Sequence, residues 1–259
     1  MQAPKLVDVH AHICDPCFDH DRDQVLERAR KAGVEAIIAV GENLEDAQKN
    51  LALARRHSAL KPAAGLYPTY LDLDLADKVA AFIRQQRSYL VAIGEVGLDY
   101  WAVKQDAEKE RQKEIFKLFI KLAGELNLTL NVHSRSAGRQ AIALLLESGA
   151  ARVQLHAFDG KAATALPAAE AGDFFSIPPS VIRSRQKQKL VRQLPLSCLL
   201  VETDSPVLGP SPSERNEPLN IWQSVKAIAD LKKIHEKDVI AAVLENTERL
   251  YGKFISDSK

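Results

Sequence analysis

Short apolar segments recur along the chain, and each is followed by a longer segment in which apolar residues return every three to four positions. The short segments are typical of buried strands, and the longer ones have the spacing of amphipathic helices. This pattern predicts eight strands, at residues 6–9, 36–40, 63–66, 90–94, 129–132, 153–155, 174–177 and 198–201. Every gap between them is long enough for a helix, for example at residues 21–32 and 107–126. The alternation therefore predicts an α/β fold with a parallel sheet, and eight strands favour a closed (β/α)8 TIM barrel.

The length of the chain agrees with this architecture. Its 259 residues match the roughly 250 residues that are typical of one α/β barrel. No internal repeat, low-complexity tract or linker divides the sequence, so we predict one domain over residues 1–259. The long irregular segment at residues 205–218 follows the eighth strand, where barrel enzymes place functional loops.

Composition narrows the classes of protein that remain. A net charge of +1 argues against binding nucleic acid through a massively basic surface. Three cysteines are too few for a disulfide framework, and neither a signal peptide nor a membrane segment is evident. We expect a soluble protein in a reduced compartment, the cytosol, the nucleus or both, with no obligate protein partner and no membrane contact.

Polar residues cluster where the predicted strands end. The set comprises histidines and acids at the ends of five strands: His10, His12, Glu95, His133, His156 and Asp204. Because the carboxyl ends of parallel strands meet at one mouth of a barrel, we expect these side chains to converge. Imidazole and carboxylate ligands without thiolate suit Zn²⁺, Mg²⁺ or Mn²⁺. A single histidine at a strand end is usually a satisfied polar residue, but six such residues together predict a hydrolytic centre with one or two divalent ions.

Roles within this centre follow from strand geometry. His10 and His12 are two residues apart, so on a strand they face the same side, and Val9 and Ala11 are then expected to face the helices. Glu95 is placed to bridge two ions and is a candidate catalytic residue. Asp204 is the last acid at a strand end, which suits a metal ligand, a general base or both.

Seven sequence strings connect the chain to a known family. They are DVHAH at 8–12, GEVGLDYW at 94–101, NVHSR at 131–135, HAF at 156–158, ETDSP at 202–206, RNEP at 215–218 and NTERLYG at 246–252. With these strings the chain resembles, from end to end, the TatD-like metal-dependent deoxyribonucleases, which are amidohydrolase-type barrels. The resemblance implies hydrolysis of phosphodiester bonds in DNA, often from a 3′ end, so DNA is the expected substrate.

The resemblance also implies a distribution of ligands between two metals. His10, His12, Glu95 and Asp204 would hold one ion, while Glu95, His133 and His156 would hold the other. Two positions depart from the family pattern, because Tyr67 stands where a histidine is expected and Ala157 where a cysteine is usual. The missing histidine removes an expected contact with the substrate, so the specificity or rate toward DNA is open.

Two arginines are candidates for binding the substrate phosphate, since a guanidinium grips phosphate with two hydrogen bonds. Arg135 follows His133 directly, and Arg215 lies in the loop after the eighth strand. For each, a surface ion pair is the alternative. The basic stretch at residues 183–192 is better interpreted as a solvated helix face than as a path for DNA.

Two other functions fit the same sequence. The same metal centre on this fold supports hydrolysis of an ester, lactone, amide or aminoacyl-tRNA bond. A binding protein that keeps a metal for stability is less attractive, because a barrel mouth has no structural need for Glu95 and Asp204.

Overall fold

The computed structural model describes residues 5–254, and its centre is an eight-stranded parallel sheet in the order β1 to β8. The strands are β1 Leu6–Ala11, β2 Val34–Ala39, β3 Leu60–Ala64, β4 Ala92–Gly97, β5 Thr129–His133, β6 Val153–Leu155, β7 Phe174–Ile177 and β8 Leu199–Val201. Each strand pairs in parallel with the next along the chain. The predicted (β/α)8 barrel is therefore confirmed.

Helices connect the strands and cover the sheet. They are α1 Arg22–Lys31, α2 Leu44–Arg56, α3 Leu73–Gln85, α4 Asp106–Leu126, α5 Gly138–Glu147, α6 Ala162–Glu170, α7 Arg185–Gln193, α8 Ile221–Lys232 and α9 Glu236–Tyr251. Short 3-10 helices lie at Pro16–Phe18, Pro179–Ile182, Leu196–Cys198 and Pro218–Asn220. Among residues 5–254, no helix has both the length and the apolar character needed to cross a membrane.

Local chemistry sets several helix starts. Asn43 caps α2 by accepting a hydrogen bond from the backbone N–H of Asp46, and Asp72 caps α3 by accepting from Asp74 and Leu75. Such caps satisfy backbone donors that have no partner inside the helix. Apolar residues on one face of each helix then pack against the sheet, which joins strands and helices into one core.

The barrel closes where the segment after β8 meets the end of β1. The backbone N–H of Asp204 donates to the carbonyl of His10 over 2.8 Å, and the N–H of His12 donates to the carbonyl of Ser205 over 2.7 Å. These bonds hold residues from the two termini of the sheet side by side. Two of the predicted donors are thereby brought together although they are far apart in sequence.

A second apolar cluster occupies the barrel interior. It contains Val7 and Val9 of β1 together with Leu250 and Tyr251 at the end of α9. The expectation that Val9 faces the helices is therefore wrong. Between Asp8 and Ala11 the pairing of β1 with β2 shifts register, and such a bulge interrupts the regular alternation of side chains along a strand.

Candidate metal centre

The six donors predicted from the strand ends meet at the carboxyl end of the barrel. Four donor atoms form a first cluster: His10 Nε2, His12 Nε2, Glu95 Oε2 and Asp204 Oδ1. The two histidine nitrogens are 3.3 Å apart, and Asp204 Oδ1 lies 3.4 Å from His10 and 3.5 Å from His12. Glu95 Oε2 lies 3.9 Å from His10 and 3.5 Å from His12. Each imidazole nitrogen thus lies within 4 Å of the other three donors.

Glu95 connects this cluster to a second one. Its other carboxylate oxygen, Oε1, lies 2.7 Å from His133 Nδ1 and 2.8 Å from His156 Nε2, and these two nitrogens are 3.1 Å apart. One carboxylate therefore offers one oxygen to each pair of histidines. The division of ligands that the sequence resemblance implies, with Glu95 shared, agrees with this geometry.

The spacing and chemistry of these donors fit divalent metal ions. Ligands that lie 2.0–2.1 Å from a tetrahedral Zn²⁺ are about 3.3–3.4 Å from one another, which is close to the separations in the first cluster. All donors are imidazole nitrogens or carboxylate oxygens, a set that Zn²⁺ and Mn²⁺ accept and that Mg²⁺ accepts through its oxygens. Most of the donors are buried: His10 is 0% exposed and Glu95 1%.

The acids of the site raise the pKa of His10 and His133, whereas burial and the neighbouring His10 lower the pKa of His156 to about 4. Burial lowers the pKa of an imidazole, but the hydrogen bond with Asp204 and the charge of Glu95 outweigh it at His10 and raise its pKa to about 10. At His133, Glu95 and Asp99 likewise overcome burial and raise the pKa to about 9. The neighbouring imidazoles hold the pKa of Glu95 well below its usual range despite burial. Bound cations would take the place of these protons.

Backbone geometry at the end of β4 positions Glu95. The pairing of β4 with β5 shifts register between Ile93 and Val96, so a bulge surrounds the bridging carboxylate. Gly97 has a φ of +144°, and a Cβ there would overlap the carbonyl oxygen of His133. Glycine is the residue that tolerates both this conformation and this close approach. It lets the ends of β4 and β5 lie close together, with Glu95 beside His133.

Three residues that the sequence analysis does not assign to the site contact histidines of the two donor clusters. Asn131 Oδ1 accepts from His10 Nδ1 over 2.8 Å, which leaves His10 Nε2 free to bind an ion. Asp99 Oδ2 lies 3.1 Å from His133 Nε2, and the Tyr67 hydroxyl donates to the same oxygen over 3.1 Å. Partners of this kind orient a metal ligand and fix its tautomer. The strings NVHSR and GLDYW contain Asn131 and Asp99, but no local pattern reveals their partners.

Below the donors, a chain of buried polar side chains forms the floor of the site. The Gln154 side chain donates to Ser176 Oγ over 2.8 Å, and Ser176 donates to Glu202 Oε2 over 2.6 Å. Glu202 Oε1 accepts from the backbone N–H of Ala157, next to His156. Burial raises the pKa of Glu202 to about 8. The floor thus links β6, β7 and β8 to the loop that carries His156.

A cavity of about 430 Å³ opens over the two clusters. Five of the six donors line it, together with Tyr67, Arg135, Lys187 and residues of the loops after β5, β6 and β8. The exposed guanidinium of Arg135 stacks on the ring of Trp101, 3.7 Å from its centre. This volume lies within the range of about 300–1,000 Å³ that is usual for small-molecule sites.

Arg215 is placed differently. Its guanidinium donates to both carboxylate oxygens of Asp21, over 2.9 and 2.6 Å, and to the carbonyl of Cys17. It is not among the residues that line the cavity. The structure therefore brings Arg135 to the donors but not Arg215, whose contact with substrate stays a prediction that this ion pair does not favour.

A (β/α)8 barrel with histidine and carboxylate donors at its carboxyl end is typical of metal-dependent hydrolases. The sequence matches the family described as TatD related DNase over residues 7–252. The chain belongs to this family, as the sequence strings predict.

Individual relatives cover nearly the whole chain. It is 46% identical over 263 residues to Deoxyribonuclease TATDN3 of Homo sapiens, which covers 96% of this chain and 95% of that protein. It is 32% identical over 262 residues to the 3′-5′ ssDNA/RNA exonuclease TatD of Erwinia tasmaniensis, covering 95% of this chain and 100% of that protein. The crystal structure of YjjV, a TatD homologue from Escherichia coli, superposes with a TM-score of 0.90 at 26% identity, covering 97% of this chain and 100% of the other.

Proposed function

We propose that this protein hydrolyses phosphodiester bonds of DNA, and that it removes nucleotides from the 3′ end of single strands. The observation that carries the proposal is the bridging position of Glu95 between two donor clusters, directly under a cavity lined by Arg135. Two ions side by side are the usual device for stabilising both oxygens of a phosphoryl displacement. The names of the human and Erwinia relatives support DNA and the 3′ direction.

The residues of the chain divide the work of this reaction. His10, His12, Glu95 and Asp204 would hold one divalent ion, and Glu95, His133 and His156 the other. When bound, these ions supply charge neutralisation at the phosphate and make water more acidic.

Asp204 lines the cavity with its carboxylate at the rim of the first cluster. We propose that it accepts the proton of the attacking water, because its carboxylate faces the cavity beside His12 Nε2, at 3.5 Å. Arg135 can donate to the oxygens of the phosphate that do not react.

A single-stranded substrate is supported by the surface beside the cavity. Trp101 is 57% exposed, and one face of its ring is covered by Arg135. Exposed aromatic rings with neighbouring cations are the usual platform for unpaired bases, whose stacking contributes about 1–3 kcal/mol per base. A duplex keeps its bases stacked inside and offers none to this ring.

Hydrolysis of single-stranded oligonucleotides labelled at the 3′ or the 5′ end tests the proposal. The protein is stripped of metal and reloaded with Mg²⁺, Mn²⁺ or Zn²⁺, and Glu95→Ala and Asp204→Ala are compared with it. Glu170→Ala is the matched control, because Glu170 is an exposed acid at the end of α6, at the opposite end of the barrel. We expect metal-dependent loss of the 3′ label first, full activity in Glu170→Ala, and none in the other two variants.

Two other outcomes would overturn parts of the proposal. Shortening that starts at the 5′ end would overturn the proposed direction but keep the reaction. A protein that contains metal and cleaves no oligonucleotide would overturn the nuclease proposal. Esters, lactones, amides and aminoacyl-tRNA are then the substrates to assay next.

A further inference from the structure

Lys187 is a buried lysine beside the metal centre. It lies on α7, where it shares the apolar face with Leu190 and Val191, and it is 7% exposed. Exposed basic residues such as Lys189 occupy the other face of the same helix. Lys187 therefore differs from the solvated helix face that the sequence predicts for this basic stretch, and its side chain lines the cavity over the donors.

The ammonium group of Lys187 has fewer partners than its charge requires. Nζ donates to the carbonyl of Ala157 over 2.5 Å. Within residues 5–254 it makes no other hydrogen bond and no ion pair, and the acids that act on it from further away are Glu202, Asp159 and Asp204. An ammonium has three N–H donors, so two remain for a ligand. A buried charge without a partner is costly unless an anion joins it.

A hydroxyl without a hydrogen-bond partner lines the same cavity. Ser134 is 2% exposed, and its Oγ is buried without a hydrogen-bond partner among the described residues. It follows His133 at the end of β5, while Ala157, the contact of Lys187, follows His156 at the end of β6. The two loops are joined by the backbone N–H of Ser136, which donates to both oxygens of Asp159.

We propose that Lys187 and Ser134 bind a second phosphate of the substrate, the one next to the scissile phosphate. The inference rests on the proposed nuclease function and adds a subsite to it. Phosphate is the anion that fits, because an ammonium binds it as a point charge and a hydroxyl donates to another of its oxygens. Neither side chain is a donor to the metal clusters, so both remain free while the ions hold the reacting group.

Three short substrates separate this subsite from the metal centre. Thymidylyl-thymidine, TpT, contains only the scissile phosphate, whereas TpTpT contains one flanking diester and pTpT one terminal phosphate. The wild-type protein should cleave TpTpT with a higher kcat/KM than TpT. Lys187→Gln should lower kcat/KM for TpTpT about 10- to 100-fold, the loss expected for a hydrogen bond to a charged group, and should change that for TpT less than about twofold.

Controls distinguish phosphate binding from a structural role. Lys189→Gln makes the same change of charge on the exposed side of α7 and should have no effect on either substrate. Lys187→Arg keeps the charge and should recover part of the TpTpT activity. If Lys187 only held the Ala157 carbonyl in place, Lys187→Gln would impair TpT as strongly as TpTpT and would lower the metal content. That result would overturn the proposal.

Two further comparisons identify which phosphate occupies the subsite and test the nuclease function independently of it. A benefit for pTpT in place of TpTpT would assign the subsite to a terminal phosphate on the 5′ side. Binding of TpT and TpTpT to metal-free protein, which does not turn over, repeats the comparison without activity. Preferential binding of TpTpT that is lost in Lys187→Gln, with no cleavage by the loaded enzyme, would retain the subsite and overturn the nuclease function. Equal binding of both by wild-type protein would overturn the subsite.

Discussion

Replacing Asn131 with leucine should lower the affinity for the metal ion at His10 and leave the affinity for the other ion unchanged. Asn131 Oδ1 accepts from His10 Nδ1 over 2.8 Å, and His10 is 0% exposed, so water cannot take over this bond. Loss of such a partner typically reduces metal affinity about 10- to 100-fold, or about 1.4–2.8 kcal/mol. The ion between His133 and His156 does not depend on this hydrogen bond.

Asn131 also donates to the Val9 carbonyl over 3.1 Å and to the Tyr251 hydroxyl over 3.4 Å. Leucine removes this donor, so the Val9 carbonyl keeps only the bond from the Gln154 side chain over 3.4 Å, and the loss of one hydrogen bond lowers folding stability by about 0.5–1.5 kcal/mol. Asn131→Asp separates the two effects, because aspartate keeps the acceptor for His10 but loses both donations. We therefore expect Asn131→Asp to lose folding stability while its metal affinity stays within a few-fold of the wild-type value.

The assay is competition for Zn²⁺ between metal-stripped protein and a chromophoric chelator at constant pH, with thermal unfolding measured in parallel. Asp99→Asn is the matched variant for the other cluster, since Asp99 contacts His133, and it should weaken the second ion instead. If Asn131→Leu binds both ions as tightly as the wild type, Asn131 does not support His10 as a ligand. The same conclusion follows if Asn131→Asp loses as much affinity as Asn131→Leu.

Three further predictions concern the same site. Glu95→Gln should remove both ions from purified protein whereas Asp204→Asn should remove one, as measured by metal analysis; equal losses would contradict the bridging role of Glu95. Because His10 and His133 have pKa values raised to about 10 and 9, protons compete with metal, and affinity should rise about tenfold per pH unit for each proton released. In the metal-free protein, the stabilising interactions of protonated His10 and His133 are fully present below the ordinary imidazole pKa of 6.5 and are lost as pH rises through 9–10. The melting temperatures of metal-free and metal-loaded protein should therefore diverge at alkaline pH. Trp101→Ala should raise KM for single-stranded oligonucleotides about 5- to 100-fold and leave TpT hydrolysis less affected; an equal effect on both would place Trp101 outside base recognition.

The structure also shows what Tyr67 contacts at the position where the chain departs from its family pattern. Tyr67 lines the cavity and donates to Asp99 over 3.1 Å, and its hydroxyl lies 3.4 Å from His133 Nε2. Burial raises its pKa, so the hydroxyl keeps its proton and acts as a donor. Tyr67 therefore supports His133, a histidine of the second donor cluster, through Asp99, at a position where the resemblance predicts a histidine that contacts substrate.

Much of the fold and the donor set is encoded locally. Strand and helix periods appear in short windows of sequence, and a parallel barrel brings every strand end to one mouth. Six strand-end residues therefore predict a cluster of donors that the structure brings together. The bounds of β4 were harder to predict: the pattern gives residues 90–94, whereas the strand runs from Ala92 to Gly97, because the bulge around Glu95 breaks its alternation.

Tertiary structure alone decided the partners of these donors. Asn131 and His10 are 121 positions apart, and their contact depends on how the closed sheet sets β5 opposite β1. The pairing of Arg215 with Asp21 and the burial of Lys187 are likewise set by packing between distant elements. Local sequence specifies which backbone period and which side-chain chemistry are present. Which buried donor meets which acceptor is fixed by long-range packing, because each buried polar group must find a partner in the space that the barrel leaves.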